Sequence, residues 1–224
     1  AYRGESSGAE PFIAGHEPCG TVIETGKQVS EREGKLGDRV MVHHYDGCGV
    51  CRHCKTGWTQ LCADGPTVFG SGQGHGGHAR YMSVPAHTLV PLPDDLAFAT
   101  GAAISCGTGT AYGALKRLGL EGDETIAVFG QGPVGLSATQ FGAAMGARVI
   151  AVEISPVRRQ LAIKMGADAV LDPTEVDPVA AILELTYGEG THKALETAGA
   201  TEARTSAVRA TRTWGTTCLV GGGG

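Results

Sequence analysis

The chain has 224 residues, of which 23 are acidic and 18 basic, for a formal net charge of −5. That length is enough for two modest domains with buried cores. The acidic balance argues against a nucleic-acid partner, which demands a basic face. No apolar run approaches the ~20 residues that span a bilayer. No signal peptide is visible either, so no membrane partner and a cytoplasmic location are expected. The sequence opens on AYRGE rather than Met and closes on LVGGGG just after a strand-like run, and it reads as an internal fragment.

In chain order, GTVIET (20–25), RVMVHH (39–44), ARYMSV (79–84) and TLVPLP (88–93) read as half-buried antiparallel strands, with GDRV (37–40) turning into the second. Between them DGCGVCRHCKTGWTQLC (46–62) holds Cys48, Cys51, Cys54 and Cys62 in the spacing C-x2-C-x2-C-x7-C. Two-residue gaps let successive thiolates converge on one tetrahedral centre, and a sulfur-only set favours a closed structural zinc site. Disulfides or a C-x-x-C redox pair are the alternatives. The odd total of seven cysteines in a Gly-rich chain speaks against a disulfide framework. Use of the lobe as a nucleic-acid finger would need more than Arg52, His53 and Lys55 around it. From Phe98 to Leu118 the Ala-rich run predicts helix, interrupted around Cys106–Gly109.

Near residue 120 the rhythm changes, which suggests domains at 1–120 and 121–224. TIAVFG (125–130), ARVIAVE (147–153), ADAVLD (167–172), KALETAG (193–199) and TTCLVG (216–221) read as strands. Helices alternate with them, one of them with Ser155 as cap and Pro156 in its first turn. This alternation predicts an α/β domain with a doubly wound parallel sheet. After its first strand comes GQGPVG, with Gly130, Gly132 and Gly135 in G-x-G-x-x-G around Pro133 and Val134. The first glycine permits the turn, the second admits a pyrophosphate, and the third lets helix and sheet pack closely. Glu153 closes the next strand, where a carboxylate can accept both hydroxyls of the adenosine ribose and repel a 2′-phosphate. NAD rather than NADP is therefore the expected dinucleotide, with Arg158 within reach of the same ribose or simply solvated.

GHEPCG (15–20), GDRV, the four-cysteine lobe, ISCGTGTAYGA (104–114), GQGPVG and the closing LVGG together resemble the zinc-dependent medium-chain dehydrogenase/reductase family. This is the family of the alcohol, polyol and threonine dehydrogenases. The resemblance implies a GroES-like β-rich catalytic domain followed by a Rossmann domain, each truncated at its outer end. It implies a catalytic zinc on His16 and Cys106, with Glu17 behind the ion and able to become a ligand, and a further cysteine ligand upstream of Ala1. Zinc would favour the alkoxide of a bound alcohol, which passes hydride to the nicotinamide. Thr110 and Val134 would pack on the nicotinamide, and Val220–Gly221 would approach its carboxamide. A homodimer or homotetramer is the family expectation. His44 is read as a strand-end surface residue in preference to a pocket residue, and Cys19 and Cys218 as core. The competing reading is an NADP-linked, zinc-independent enone or quinone reductase of the same superfold, whose members usually lack both the cysteine lobe and the GHE histidine.

Overall fold

The structure is a computed structural model that describes residues 11–222. The opening AYRGE stretch and the closing Gly223 and Gly224 lie outside them. Contacts divide the chain into one unit ending at Cys106 and a second starting at Gly107. The second unit thus begins ahead of the boundary near residue 120 that the change of rhythm suggests. Among the described residues no helix is long and apolar enough to cross a membrane.

In the first unit β1 (Cys19–Thr21), β2 (Arg39–Val42), β3 (Tyr45–Asp46), helix α1 (Arg52–Lys55), β4 (Thr67–Val68), β5 (Leu89–Pro91) and helix α2 (Phe98–Ala103) succeed one another in order. β1, β2 and β5 form an antiparallel sheet with β2 in the middle, Cys19 opposite Met41 and Val42 opposite Leu89. Val40, Met41 and Val42 are all buried. This strand is therefore covered on both faces, where alternation suggested one. Arg39 ties the sheet to the segment that leads into α2. Its Nη1 donates to the Pro93 carbonyl at 2.9 Å, its Nη2 donates to the Leu96 carbonyl at 2.5 Å, and its guanidinium lies 4.6 Å from the Phe98 ring centre. The strand expected over 20–25 ends at Thr21, leaving Ile23 exposed, and the one expected over 79–84 does not form. Among the described residues that segment has no ladder partner, and alternation without a neighbouring edge is not enough to make a strand.

In the second unit α3 (Gly109–Leu118), β6 (Thr125–Phe129), α4 (Pro133–Ala144), β7 (Arg148–Val152), α5 (Pro156–Lys164), β8 (Ala169–Leu171), α6 (Pro178–Leu185), β9 (Thr191–Glu196), α7 (Thr201–Ala210) and β10 (Thr211–Leu219) alternate as expected. The sheet is parallel in the order β10-β9-β6-β7-β8, which is the doubly wound arrangement with the chain reversing direction beside β6. Period-two alternation assigns its core. Ile126, Val128, Val149 and Leu195 face Ala111, Leu115 and Ala138 of α3 and α4, whereas Ala127, Phe129, Ile150 and Ala194 face Ile182, Ala207 and Ala210 of α6 and α7. Both faces are covered, so β6 and β7 read as apolar runs after their first residue. Each fully buried Ile or Phe stabilises this unit by about 1.5–3 kcal/mol. α5 begins after Ser155 without the side-chain cap expected there, and the Ser155 N–H donates to Glu153 Oε1. Asp177 does cap α6, accepting from Val179 N–H at 2.9 Å.

β10 starts five residues earlier than TTCLVG suggests, and its register against β9 shifts between Thr211 and Thr216. In that bulge Trp214 has φ +64 and is 97% exposed. A bulky side chain held in the left-handed region costs about 1–2 kcal/mol, and an exposed indole makes few contacts to offset it. Trp214→Gly is expected to raise the urea midpoint of the second unit by the equivalent of about 1 kcal/mol. A lower midpoint would show that the indole packs against something that outweighs the strain.

Candidate functional site

The cysteine lobe is a piece of chain that cannot pack itself. From Asp46 to Val68 only Cys62 is buried, and α1 buries nothing. Its four sulfurs nevertheless converge, all within 4.8 Å of one another. Zn–S bonds of about 2.3 Å place tetrahedral sulfurs about 3.8 Å apart, within that span. The backbone already points at them. Cys48 N–H donates to Cys62 Sγ at 3.3 Å, Cys51 N–H to Cys48 Sγ at 3.4 Å and Cys54 N–H to Cys51 Sγ at 3.5 Å. Donation from the Cys54 and then the Ala63 N–H holds the Cys51 thiol down to about 6, while desolvation pushes Cys54 up to about 12. One thiolate is favoured here, and a cation among the four sulfurs would favour the others. All seven cysteines are free.

The second cluster is built from segments far apart in sequence. His16 and Glu17 come directly after Gly15, and the 13–15 stretch is held by main-chain bonds: Gly76 N–H to Ile13 O at 2.7 Å, Gly77 N–H to Gly15 O at 2.8 Å and His78 N–H to Ala14 O at 2.9 Å. The approach is so close that a Cβ on Gly76 would overlap the Gly15 carbonyl, and one on Gly70 would stand 2.5 Å from it. The glycine run GSGQGHGG (70–77) therefore exists to seat the histidine, a role that sequence reasoning missed although the run itself was visible. Cys106 arrives from the wide turn Ile104–Thr108, whose π-helical hydrogen bonding is the interruption expected in the helix.

Ligand atoms of His16, Glu17 and Cys106 lie within 4.8 Å of one another. Mixed nitrogen, oxygen and sulfur donors with a tetrahedral position to spare are the composition of an open metal site. Burial, and then the Glu17 carboxylate, push the Cys106 thiol up; a bound cation would reverse both influences. His44, read from the sequence as a surface residue, is buried at 6% exposure. Its ring stands edge-on to His16 at 5.2 Å, and its Nδ1 has no hydrogen-bond partner among the described residues. Burial first, then His16 and His43, holds it down to about 4, so it is neutral at pH 7. His43 bonds to Thr59 Oγ1 at 2.8 Å and His75 Nδ1 accepts the Ile13 N–H at 3.1 Å, as structural histidines do.

In the second unit the glycine turn fits a dinucleotide phosphate. Gly130 has φ +87 and lies against Ala198, and a Cβ on Gly135 would overlap the Gly130 carbonyl. A Cβ on Gly132 would meet nothing within 4 Å. The open space is thus where a ligand would come, and no side chain caps the N-terminus of α4. Glu153, 5% exposed, is pinned here: Oε2 accepts the Gln131 N–H at 2.6 Å and Oε1 the Ser155 N–H at 2.9 Å. Arg158 Nη1 is 4.0 Å from Glu153 Oε1 with its side chain 54% exposed. The neighbouring Arg159 does more, donating to the Glu153 and Ile154 carbonyls and pairing with Asp172. Thr110 is exposed on α3, Val134 is half-buried in the first turn of α4, and Val220 and Gly221 are half-buried after β10. Beneath the turn Gln131, fully buried, accepts from Thr139 Oγ1 at 2.9 Å and donates to the Val128 carbonyl at 3.1 Å. Thr139 carries no signal in a motif.

A cysteine-rich β unit followed by a doubly wound α/β unit with a phosphate-binding turn defines a dinucleotide-binding metalloprotein class. The chain matches an alcohol dehydrogenase GroES-like domain over residues 1–94 and a zinc-binding dehydrogenase domain over 133–224. It is 39% identical over 94% of its length to an uncharacterized zinc-type alcohol dehydrogenase-like protein YphC of Escherichia coli K12, covering 59% of that protein. It is 37% identical, again over 94%, to an alcohol dehydrogenase of Geobacillus stearothermophilus, covering 61% of it. The fold superimposes on the alcohol dehydrogenase TADH from Thermus sp. ATN1 with a TM-score of 0.87 at 28% identity, over 95% of this chain and 62% of that one. The chain belongs to the zinc-dependent medium-chain dehydrogenase family, and it spans about 60% of the length of these relatives.

Proposed function

We propose that the chain is the metal- and dinucleotide-binding part of an oxidoreductase that moves hydride between an alcohol and NAD. The observation that carries this reading is the contrast between its two clusters. One is sulfur-only and closed, while the other, on His16, Glu17 and Cys106, is mixed and leaves a position open. Zinc in the open cluster would supply Lewis acidity that favours the alkoxide form of an alcohol. His16 and Cys106 would hold the ion and Glu17 would stand beside it, while Cys48, Cys51, Cys54 and Cys62 would hold a structural zinc.

On the second unit, uncapped N–H groups at the start of α4 receive the pyrophosphate over Gly132. Thr110 and Val134 support the nicotinamide, and the Val220–Gly221 backbone meets its carboxamide. Glu153 accepts from the ribose hydroxyls. Because two main-chain N–H groups pin its carboxylate, it cannot swing aside for a 2′-phosphate, which supports NAD over NADP.

The test is zinc content together with dinucleotide reduction followed at 340 nm. Two zinc ions per chain are expected, with alcohol-dependent reduction of NAD faster than of NADP. Cys106→Ser should remove one zinc and the reduction together. Retention of both ions in that variant, or a preference for NADP, overturns the corresponding part of the reading.

A further inference from the structure

A second acid at a strand end, outside every role above, is the most deeply buried charged side chain among the described residues. Glu196 closes β9 with no exposed surface. A buried carboxylate is costly unless hydrogen-bonded and paired. Oε1 accepts the Gly199 N–H at 2.6 Å, while Oε2 lies 3.8 Å from Arg204 Nε and has no hydrogen-bond partner among the described residues. The same residue reaches the end of β10 three more ways. Its carbonyl accepts from Val220 N–H at 2.9 Å and Gly221 N–H at 3.0 Å, and Oε2 lies 2.8 Å from where a Cβ on Gly221 would stand. Arg204 completes the ring by donating from Nη2 to the Gly221 carbonyl at 2.9 Å. Gly199, at φ +76, lies so close that a Cβ there would come 2.8 Å from the Gly222 carbonyl.

We propose that Glu196 and Arg204 are positioning residues for the nicotinamide end of the dinucleotide, acting through the Val220–Gly222 backbone. This rests on the dinucleotide reading above. The pair holds the two peptides that meet at Gly221: the Glu196 carbonyl accepts the Gly221 N–H, and Arg204, held toward the Glu196 carboxylate, donates to the Gly221 C=O. The directions of both peptides are thereby fixed. A carboxamide reads peptide direction, since it presents one donor and one acceptor. The adenosine half of the ligand binds at Glu153 and the glycine turn, with which neither residue shares a hydrogen bond among the described residues. The pair should therefore discriminate between the two halves of the dinucleotide, as general stabilisation of the fold would not.

The experiment compares NADH with ADP-ribose, which lacks the nicotinamide, by isothermal titration calorimetry on the intact chain. Glu196→Gln keeps the shape and the acceptor for Gly199 but loses the charge that holds Arg204. It is expected to weaken NADH about tenfold, the size of one charge-assisted contact, and to leave ADP-ribose within about twofold. Equal weakening of both ligands, or of neither, overturns the proposal. So does a wild-type chain that binds NADH no more tightly than ADP-ribose. Should Glu196→Gln fail to fold, Arg204→Gln, whose side chain is 31% exposed, must show the same selective loss. If the wild-type chain binds neither ligand, the dinucleotide reading itself fails, and that result is distinct from the others.

Discussion

Gly132→Ala should fold like the wild-type chain and bind NADH about 10- to 100-fold more weakly, whereas Gly135→Ala should scarcely fold. The two glycines stand three residues apart in one motif, yet their surroundings differ. Gly132 has φ −73 and ψ −169, a conformation any residue adopts, and a Cβ there meets nothing within 4 Å. Folding is therefore indifferent to a methyl group at that position. A pyrophosphate crossing the turn is not, because a methyl forced into a packed contact costs about 1–3 kcal/mol, which sets the expected loss of affinity.

At Gly135 the new Cβ would overlap the Gly130 carbonyl and come 2.9 Å from Thr197 Oγ1. The first obstacle is backbone directly after β6, tied by the Gly130 N–H to the Val152 carbonyl and by Thr197 Oγ1 donating to the Gly130 carbonyl, and it cannot move aside, so a destabilisation of about 3 kcal/mol or more is expected. Urea unfolding and NADH titration of the two variants separate the outcomes. Normal binding by Gly132→Ala would mean that no phosphate runs over this turn, and the glycines would then serve packing alone.

Legibility in the sequence tracks how local each signal is. The first two Rossmann strands announced themselves because both faces are buried, so TIAVF and RVIAV carry a polar residue only at their first position. The glycine turn and the acid at the next strand end were easy to locate because the G-x-G-x-x-G pattern has a fixed spacing. In the first unit the strands are short and their partners distant in sequence, so ARYMSV mimicked a strand that no neighbouring edge supports. Cys106 was placed by its motif, but the π-helical turn that presents it became apparent only as an interruption. His44 was misplaced because a single histidine at a strand end carries no periodicity, and the fold buries it through contacts with His16 and Ser105. Glu196 offered a usable signal that went unread: like Glu153, it is an acid at the carboxyl end of a parallel strand. Its partner Arg204 has no signal at all, since a helix arginine is ordinarily solvated and only the return of β10 gives it a carbonyl to hold.

Cys51→Ser is expected to lose one zinc ion per chain, expose the 46–68 lobe to protease, and leave ADP-ribose binding intact. The substitution isolates metal ligation from helix capping. Cys51 is the N-cap of α1, and serine is among the best residues for that position, so the helix start is preserved. The loss is a sulfur donor. A lobe with one buried residue between Asp46 and Val68 has no hydrophobic core to fall back on, and structural zinc in comparable small folds contributes an apparent ~10–16 kcal/mol at neutral pH. Three sulfurs and an oxygen hold zinc far less well, because the site selects a soft, fully thiolate shell. The residues proposed to bind adenosine lie in the second unit and share no ligand with the lobe, so ADP-ribose affinity would report that the rest of the chain has survived. The ion on His16 and Cys106 should remain, taking the zinc content from two to one. An unchanged zinc count would mean that the sulfurs converge for another reason. Disulfide formation on oxidation, scored by free-thiol titration, would then become the explanation to test.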